Sequence, residues 1–222
     1  MLKEKLTNYL KNYNTYFSSR IDDSERVLKN INRLLKFLNK KEISSGNKLL
    51  DLGSGDKSFY KVCLKNNIDA EEIDGSSQQI NFEEDKLPYS ENTFDYVYFA
   101  AVIEHLYDAN LILSEIFRIL KKGGVLITIT PNFAFCYKEF YNDPTHFHPY
   151  TPKSLKKILE MNQFIDNIIN PFLINKSTNY WKIPYKFFIA SLLPFRNDSF
   201  QKFPIPMFLR GKSTSMISVS KK

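Results

Sequence analysis

The sequence lacks any run of eighteen or more consecutive apolar residues among its 222 residues. A helix that crosses a bilayer needs about 20 such residues. The first residues, MLKEKLTNYLKNYN, also lack the apolar segment of a secretory signal. We therefore expect a cytoplasmic protein, and the only membrane contact we consider is a peripheral one at the inner face of the membrane.

Cysteine is scarce, with only Cys63 and Cys136 in the chain. Two distant cysteines provide neither a disulfide framework nor the closely spaced pairs of a zinc site. Two glycine-rich phosphate-binding motifs are absent as well. No GxxxxGK[ST] loop occurs, and Ser58 stands where the third glycine of a GxGxxG dinucleotide motif would follow Gly53 and Gly55. These absences argue against a nucleoside triphosphatase and against a dinucleotide enzyme.

Strand and helix patterns alternate through the middle of the chain. The predicted strands cover 47–53, 69–74, 79–83, 94–100, 124–130, 164–172 and 215–222, and the predicted helices cover 59–65, 108–122 and 152–160. Such alternation predicts an α/β fold with three layers, in which helices cover both faces of one sheet. We expect a Rossmann-like, seven-stranded, mostly parallel sheet whose last strand is antiparallel.

The chain is predicted to form one domain, 1–222, with four parts. Residues 1–42 form a helical lead-in, 43–172 a cofactor-binding core, 173–212 a basic aromatic insertion or lid, and 213–222 the last strand. The insertion is unusual, because compact domains normally connect neighbouring strands by a few residues.

The insertion carries the excess positive charge. From residue 171 onward there are nine lysines or arginines and one acidic residue, Asp198. Within it, 180–196 mixes aromatic, apolar and basic residues, a composition typical of a segment at a membrane interface. A lid over the substrate, a contact with a membrane or glycolipid, an oligomer contact and simple packing on the sheet remain alternatives, and the oligomeric state stays open.

A glycine turn follows the first predicted strand. Asp51 ends that strand, the turn passes through Gly53, Ser54 and Gly55, and Asp74 ends the next strand. Glycines let backbone N–H groups approach a ligand, and a carboxylate after the second strand can accept both hydroxyls of a ribose. The pattern predicts a nucleoside-containing cofactor.

Three segments in order, LLDLGSGDKSF, EEIDGSS and DKLPYSENTFDYVYFAAVIEHLYD, resemble successive motifs of class I S-adenosylmethionine-dependent methyltransferases. The resemblance runs from about residue 45 to 166 and is greatest to members that act on small molecules or sugars. It implies a methyltransferase that converts S-adenosyl-L-methionine to S-adenosyl-L-homocysteine.

The resemblance also implies positions for the cofactor. It places Asp51 and the turn Gly53, Ser54, Gly55 around the methionine part, Asp74 on the ribose, Asn81 and Phe82 beside the adenine, and the backbone of Ala100 and Ala101 against the cofactor. Two residues depart from the family pattern. Lys57 replaces a glycine, and Asn81 replaces an acidic adenine partner, so we expect altered contacts with retained binding.

Histidine is the side chain whose ordinary pKa suits proton removal near neutrality. His105, His146 and His148 all follow predicted strands at the reactive edge, and we predict His146 as the base, with a purely structural role as the alternative. Asp143, Tyr141 and Tyr150 are predicted substrate contacts. Asp143, His146 and His148 could also form a metal site, but only Glu139 and Asp143 supply carboxylates nearby, so we expect no metal.

We expect the acceptor to be a hydroxyl of a sugar or glycolipid precursor in surface polysaccharide synthesis. Methylation of RNA or another nucleic acid is an alternative, but FAAVIEHL lacks the Asn/Asp-Pro-Pro-aromatic element of nucleobase methyltransferases. A membrane-associated adaptor that binds the cofactor without catalysis is the other alternative.

Overall fold

The computed structural model describes residues 21–75, 80–172, 192, 195–196 and 210–222. The first half of the predicted lead-in and most of the predicted insertion, including nearly all of 180–196, lie outside these residues. No helix in the described part combines the length and the apolar composition needed to cross a bilayer.

Six strands form the main sheet: β1 (Lys48–Leu52), β2 (Asp69–Ile73), β3 (Phe94–Ala100), β4 (Leu120–Pro131), β5 (Ile165–Pro171) and β8 (Ser215–Lys221). Their order is β2-β1-β3-β4-β8-β5. The first four are parallel neighbours, and β8 runs antiparallel to both β4 and β5. A separate ladder joins β6 (Phe195–Arg196) to β7 (Arg210–Lys212). The mostly parallel fold with an antiparallel last strand is confirmed.

Helices cover both faces of the sheet. The described helices are α1 (Ile21–Phe37), α2 (Ser58–Lys65), α3 (Asn110–Ile119), α4 (Phe133–Cys136) and α5 (Pro152–Met161). Buried residues of α1 and α2 pack with Leu49 on one face, whereas those of α3 and α5 pack with Leu50 on the other. Successive strand residues point to opposite faces, so an apolar run such as β1 serves both cores.

Local signals set the helix positions. In α1 the fully buried Ile31, Leu34 and Leu35 recur at helical spacing, which gives the helix one apolar face. At the start of α5, the Thr151 hydroxyl accepts the Ser154 N–H at 3.2 Å, and the Ser154 hydroxyl oxygen accepts the Thr151 N–H at 2.8 Å. Pro152 occupies the first turn, where its missing N–H has no cost.

The strand predicted at 79–83 is wrong, which reduces the count from seven strands to six in the main sheet. Residues 81–84 form a turn instead. The Asn81 side-chain oxygen accepts the Glu83 N–H at 3.1 Å, and the Asn81 carbonyl accepts the Asp85 N–H at 2.8 Å. Short polar side chains that bond nearby backbone groups compete with sheet pairing.

The helix predicted over 108–122 is shorter, because α3 covers only Asn110–Ile119. Leu120 already pairs with Phe94 across the sheet. Gly123 and Gly124, predicted to close the helix, lie inside β4, where the Gly123 N–H donates to the carbonyl of Lys222 at 3.3 Å. Pairing with the end of the chain therefore replaces the last helical turn.

One edge of the sheet gathers the chain segments that matter for function. The loops after β1, β2, β3 and β4 all leave from the carboxyl ends of parallel strands, and ligands of open α/β sheets bind at that edge. The same edge anchors both ends of the segment between β5 and β8. The Phe172 N–H donates to the Ser215 carbonyl at 2.9 Å, and the Ser213 hydroxyl donates to the Phe172 carbonyl at 2.7 Å.

Two threonines on β4 give a matched test of the core. Thr128 is fully buried, and its hydroxyl has no hydrogen-bond partner among the described residues, whereas the Thr130 hydroxyl donates to the Glu104 carboxyl at 3.0 Å. Replacing an unpaired buried hydroxyl by a methyl group removes a desolvation cost. We expect Thr128→Val to raise the free energy of unfolding by about 1 kcal/mol and Thr130→Val to lower it by a similar amount. Chemical denaturation measures both, and a destabilised Thr128→Val would contradict the assignment.

Candidate active site

The glycine turn after β1 is built so tightly that it excludes a side chain. Gly53 has φ +81° and its N–H donates to the Ile73 carbonyl at 2.8 Å, while Gly55 has φ +51°. A Cβ atom on Gly53 would lie 2.2 Å from Cγ2 of Val102, in the loop after β3. The glycine therefore lets the loops after β1 and β3 come into direct contact.

Lys57, the residue that departs from the family pattern, has the left-handed backbone that favours glycine, with φ +62°. Its Nζ lies 2.6 Å from a carboxylate oxygen of Glu72, and the Ser54 hydroxyl donates to the other oxygen at 2.6 Å. Glu72 thus ties both sides of the turn to β2. The ion pair holds a lysine in a conformation that glycine would adopt more easily.

Asp74 is the first residue after β2, and its side chain contacts the glycine turn. Its Oδ2 accepts the Gly55 N–H at 3.0 Å, and the residue is 9% exposed. The predicted adenine residue Phe82 is near it, since a Cβ on Gly75 would lie 3.7 Å from the Phe82 ring. Asn81 lies beside Phe82, with its side-chain oxygen engaged in the turn. The predicted ribose and adenine residues are therefore neighbours.

The turn is surrounded by carboxyl groups. Burial raises the pKa of Asp51 to about 7, and the negative charges of Glu72, Asp56 and Asp74 contribute to the shift. The Asp51 Oδ2 accepts the Tyr60 N–H at 3.1 Å. An anionic pyrophosphate would be repelled by such a site, whereas a cofactor with a sulfonium and an ammonium group would be attracted. The electrostatics therefore favour the expected methyl donor over a dinucleotide.

The carboxyl end of β3 adds a strained residue to this edge. Ala100 ends the strand, and Ala101 has φ +54°, which is uncommon for a residue other than glycine. The Ala101 N–H donates to the Ile129 carbonyl at 2.9 Å, which holds the conformation. Strained backbone of this kind clusters at functional sites, and this one lies next to Val102 and the glycine turn.

Residues of the loop after β4 orient the His105 ring through hydrogen bonds. The Thr145 hydroxyl donates to Asp143 Oδ1 at 2.6 Å, and His105 Nδ1 lies 2.9 Å from that hydroxyl oxygen and 3.1 Å from the Thr145 carbonyl. A carbonyl only accepts, so Nδ1 carries the hydrogen and Nε2 keeps a lone pair. Burial and the neighbouring His146 lower the pKa of His105, which favours the neutral ring.

His146 is brought next to His105, as the prediction of a common reactive edge requires. The two ring centroids are 4.8 Å apart. His146 Nδ1 lies 2.7 Å from the Phe140 carbonyl, so Nδ1 carries the hydrogen here too. Its Nε2 lies 3.9 Å from Asp143 Oδ2. Burial raises the pKa of Asp143, but the hydrogen bonds from Thr145 outweigh it, and the pKa is lowered overall.

His148 belongs to a different environment. Its Nδ1 donates to the Leu106 carbonyl at 3.1 Å, and its ring stacks on Tyr150 with centroids 5.9 Å apart. Tyr150 is only 4% exposed and packs in the core, whereas Tyr141 is 59% exposed and lies edge-on to Phe140. Of the predicted substrate contacts, Tyr141 presents the most surface, since Asp143 is also buried.

Glu104 is a site residue that the sequence analysis missed. It is 1% exposed, its Oε2 accepts the Thr130 hydroxyl at 3.0 Å, and burial raises its pKa to about 7. Its carbonyl accepts the N–H groups of Phe147 and His148 at 2.8 and 3.1 Å. A carboxylate oxygen of Glu104 and one ring nitrogen each of His105 and His146 lie within 4.8 Å of one another. In the sequence, the only indication that these three side chains are neighbours is that IEHL and DPTHFH both follow predicted strands at the same edge of the sheet. Their contact can be recognised only in the folded structure.

Comparisons with known proteins identify the family. A family model described as a methyltransferase domain matches residues 19–165. An uncharacterized protein of Methanocaldococcus jannaschii is 33% identical over 180 residues, which cover 71% of this chain and 77% of that protein.

Solved structures show the same fold. An S-adenosylmethionine-dependent methyltransferase of Archaeoglobus fulgidus has a TM-score of 0.57 at 19% identity, covering 88% of this chain and 94% of that one. A phosphoethanolamine N-methyltransferase of Haemonchus contortus, in complex with S-adenosyl-L-methionine, has a TM-score of 0.51 at 15% identity. That match covers 86% of this chain and 52% of the other.

The tight contact at Gly53 gives a first prediction for the site. We expect Gly53→Ala to abolish binding of S-adenosyl-L-homocysteine and to lower the free energy of unfolding by at least about 3 kcal/mol, from steric overlap and left-handed strain together. Calorimetry and thermal unfolding measure the two effects.

Gly46 is the matched control, because its φ is +83° and a Cβ there would have no atom within 4 Å. Gly46→Ala should lower stability by only about 1–2 kcal/mol, the cost of the backbone conformation alone, and should leave cofactor binding unchanged. Equal effects of the two substitutions would show that the contact with Val102 is unimportant.

The position of Asp74 gives a second prediction. We expect Asp74→Ala to weaken binding of S-adenosyl-L-homocysteine at least tenfold, about 1.4 kcal/mol, because the ribose loses its acceptor and Gly55 loses its partner. Asp74→Asn keeps one acceptor oxygen and should give an intermediate loss. Asp69→Ala, at the exposed other end of β2, should bind like the native protein. No binding by the native protein, or full binding by Asp74→Ala, would contradict the prediction.

Proposed function

This chain belongs to the class I S-adenosylmethionine-dependent methyltransferases, and from that premise we propose that it methylates a hydroxyl group of a sugar or glycolipid precursor in surface polysaccharide synthesis. The methyl donor is S-adenosyl-L-methionine. The acceptor oxygen attacks the methyl carbon, the carbon–sulfur bond breaks with its electron pair left on sulfur, and the hydroxyl proton must leave.

The observation that carries the proposal is the pair of histidines with defined ring orientation beside the glycine turn. His105 and His146 both donate Nδ1–H to backbone carbonyls, which leaves both Nε2 lone pairs available. A hydroxyl is a poor nucleophile until its proton is removed or attracted away. An amine acceptor needs no such help once it is neutral, so the pair supports an oxygen acceptor.

We propose that His146 takes the proton at Nε2, with Asp143 and Thr145 as positioning residues that hold the neighbouring His105. Asp143 Oδ2 lies 3.9 Å from that Nε2 and would stabilise the positive charge that the transferred proton brings to the ring. Tyr141, exposed at the rim of the same loop, is the best placed of the predicted substrate contacts to line the acceptor's path. We assign His148 and Tyr150 a supporting role, in which their stacked rings stabilise the loop after β4.

The choice of a sugar or glycolipid rests on residues 173–212. Their composition is basic and aromatic, and both ends of the segment are tied to the sheet at the cofactor edge, through Phe172, Ser213 and Ser215. That both ends of the segment lie at this edge supports a contact between the segment and the acceptor. Its positive charge suits a phosphate-bearing or otherwise anionic glycan at a membrane surface.

Two other functions are less well supported. A basic aromatic segment could also bind nucleic acid. However, the residues after β3 lack the Asn/Asp-Pro-Pro-aromatic motif of nucleobase methyltransferases. A cofactor-binding adaptor without catalysis would have no need for two oriented histidines next to the donor. Both alternatives are outcomes of the experiment below.

We expect the full chain to transfer a deuterated methyl group from the labelled cofactor to lipid-linked and soluble sugars, but not to RNA. The product should be an alkali-stable methyl ether detected by mass spectrometry, with the lipid-linked acceptors preferred at least about tenfold. The protein should also sediment with anionic liposomes.

A chain that lacks 180–196 is the comparison. It should keep binding of S-adenosyl-L-homocysteine, lose liposome binding, and lose the preference for lipid-linked acceptors. Unchanged acceptor preference together with no liposome binding by the full chain would refute the proposed role of this segment. Methylation of RNA alone would refute the proposed acceptor class.

A further inference from the structure

Glu104, His105 and His146 form a cluster, here named the Glu-His-His cluster, that has the composition of a metal site. One potential ligand atom from each lies within 4.8 Å of the others. A first-row divalent cation binds nitrogen and oxygen ligands at about 2.0–2.2 Å, so ligand atoms in a complete site stand roughly 3.0–3.5 Å apart. Closing the cluster around an ion therefore requires the ligand atoms to approach one another by at most roughly 2 Å.

The two imidazole rings are oriented as metal ligands usually are. Each uses Nδ1–H to donate to a backbone carbonyl, that of Thr145 for His105 and that of Phe140 for His146. Such a bond on Nδ1 fixes the tautomer and leaves the Nε2 lone pair free to bind an ion. The protein also places ionised Asp143 beside His146, at 3.9 Å from its Nε2, where it adds negative charge.

Glu104 provides the third argument, because its carboxyl group is buried within 4.8 Å of a ring nitrogen of each histidine. It is 1% exposed, and the Thr130 hydroxyl donates to its Oε2 at 3.0 Å. No lysine or arginine is paired with it among the described residues. A cation between the carboxyl group and the two rings would take the place of the carboxyl proton.

We propose that Glu104, His105 and His146 bind one divalent first-row transition-metal cation, such as Mn²⁺, Co²⁺ or Zn²⁺, beside the methyl donor. Two imidazoles and one carboxylate on one side of the ion suit these metals and leave positions open for a ligand. No metal is expected from the sequence alone, and this cluster differs from the alternative set of Asp143, His146 and His148, because His148 donates to the Leu106 carbonyl instead.

The cation would act on the acceptor, and this part rests on the proposed function. The cation would hold the acceptor hydroxyl at an open position and lower the pKa of that hydroxyl, so that its proton could leave to water before the oxygen attacks the methyl group. With the cation bound, Nε2 of His146 would be a ligand; without it, the same nitrogen would take the proton itself. The location supports this role, since Val102, which contacts the glycine turn, is two residues from Glu104.

The test measures the cation directly. The full chain is stripped with a chelator, dialysed, and titrated with Co²⁺ while the visible absorption is recorded, and with Mn²⁺ in a calorimeter. We expect one cation per chain. With S-adenosyl-L-homocysteine bound, Mn²⁺ should also broaden the proton resonances of that ligand, which places the cation next to the cofactor.

Glu104→Gln and His146→Gln should each weaken cation binding at least tenfold while they keep binding of S-adenosyl-L-homocysteine. His148→Gln is the matched control, because it alters the same loop but not the cluster, and it should bind the cation like the native chain. Circular dichroism and the retained cofactor binding verify that each variant is folded.

Absence of cation binding by the folded native chain would overturn the proposal, and so would binding that survives both cluster substitutions. Binding without broadening of the cofactor resonances would overturn the placement beside the donor. None of these results depends on turnover, so they are distinct from a failure of the proposed acceptor. A chain that binds the cation but methylates no hydroxyl would refute the function alone.

Discussion

The contact between Gly53 and Val102 is the constraint on which the site depends. A side chain on Gly53 would overlap Val102, so the absence of one allows the loop after β1 to touch the loop after β3. The first loop carries residues predicted to bind the cofactor, and the second leads within three residues to Glu104 and His105. The residues predicted for the donor and those proposed for the reaction therefore meet at one junction, and methyl transfer requires aligned reacting atoms.

Glu104 extends this junction to the loop after β4. Its carbonyl accepts two N–H groups from Phe147 and His148, and its carboxyl accepts the Thr130 hydroxyl at the end of β4. His105 adds a further link through Thr145. Backbone and side-chain hydrogen bonds connect the two loops. His146 therefore lies next to His105, although the two residues are 41 positions apart in the sequence. The sheet brings these loops to the same edge, and the hydrogen bonds between them fix the positions of the two histidines.

The features set by local patterns could be predicted from the sequence. Buried strands such as β1, the glycine turn, Asp74 after β2 and the capped start of α5 all carry signals within a few residues. The false strand at 79–83 had the right composition, but the Asn81 side chain closes a turn there. Glu104 was missed for the opposite reason. Nothing in IEHL distinguishes a buried carboxyl from a surface one, because its partners Thr130 and His146 come from elsewhere in the chain.

The negative charge around the glycine turn also affects the neighbouring Glu-His-His cluster. The carboxyl groups of Asp51, Asp56, Glu72 and Asp74 surround the glycine turn, and negative charge there would attract a sulfonium donor more than its neutral thioether product. After transfer the sulfur loses its charge, and that attraction would disappear. The same negative charge would attract a metal cation to the neighbouring loop. Carboxyl groups gathered at one end of a parallel sheet would thus act on both the charged donor and the cation proposed to activate the acceptor.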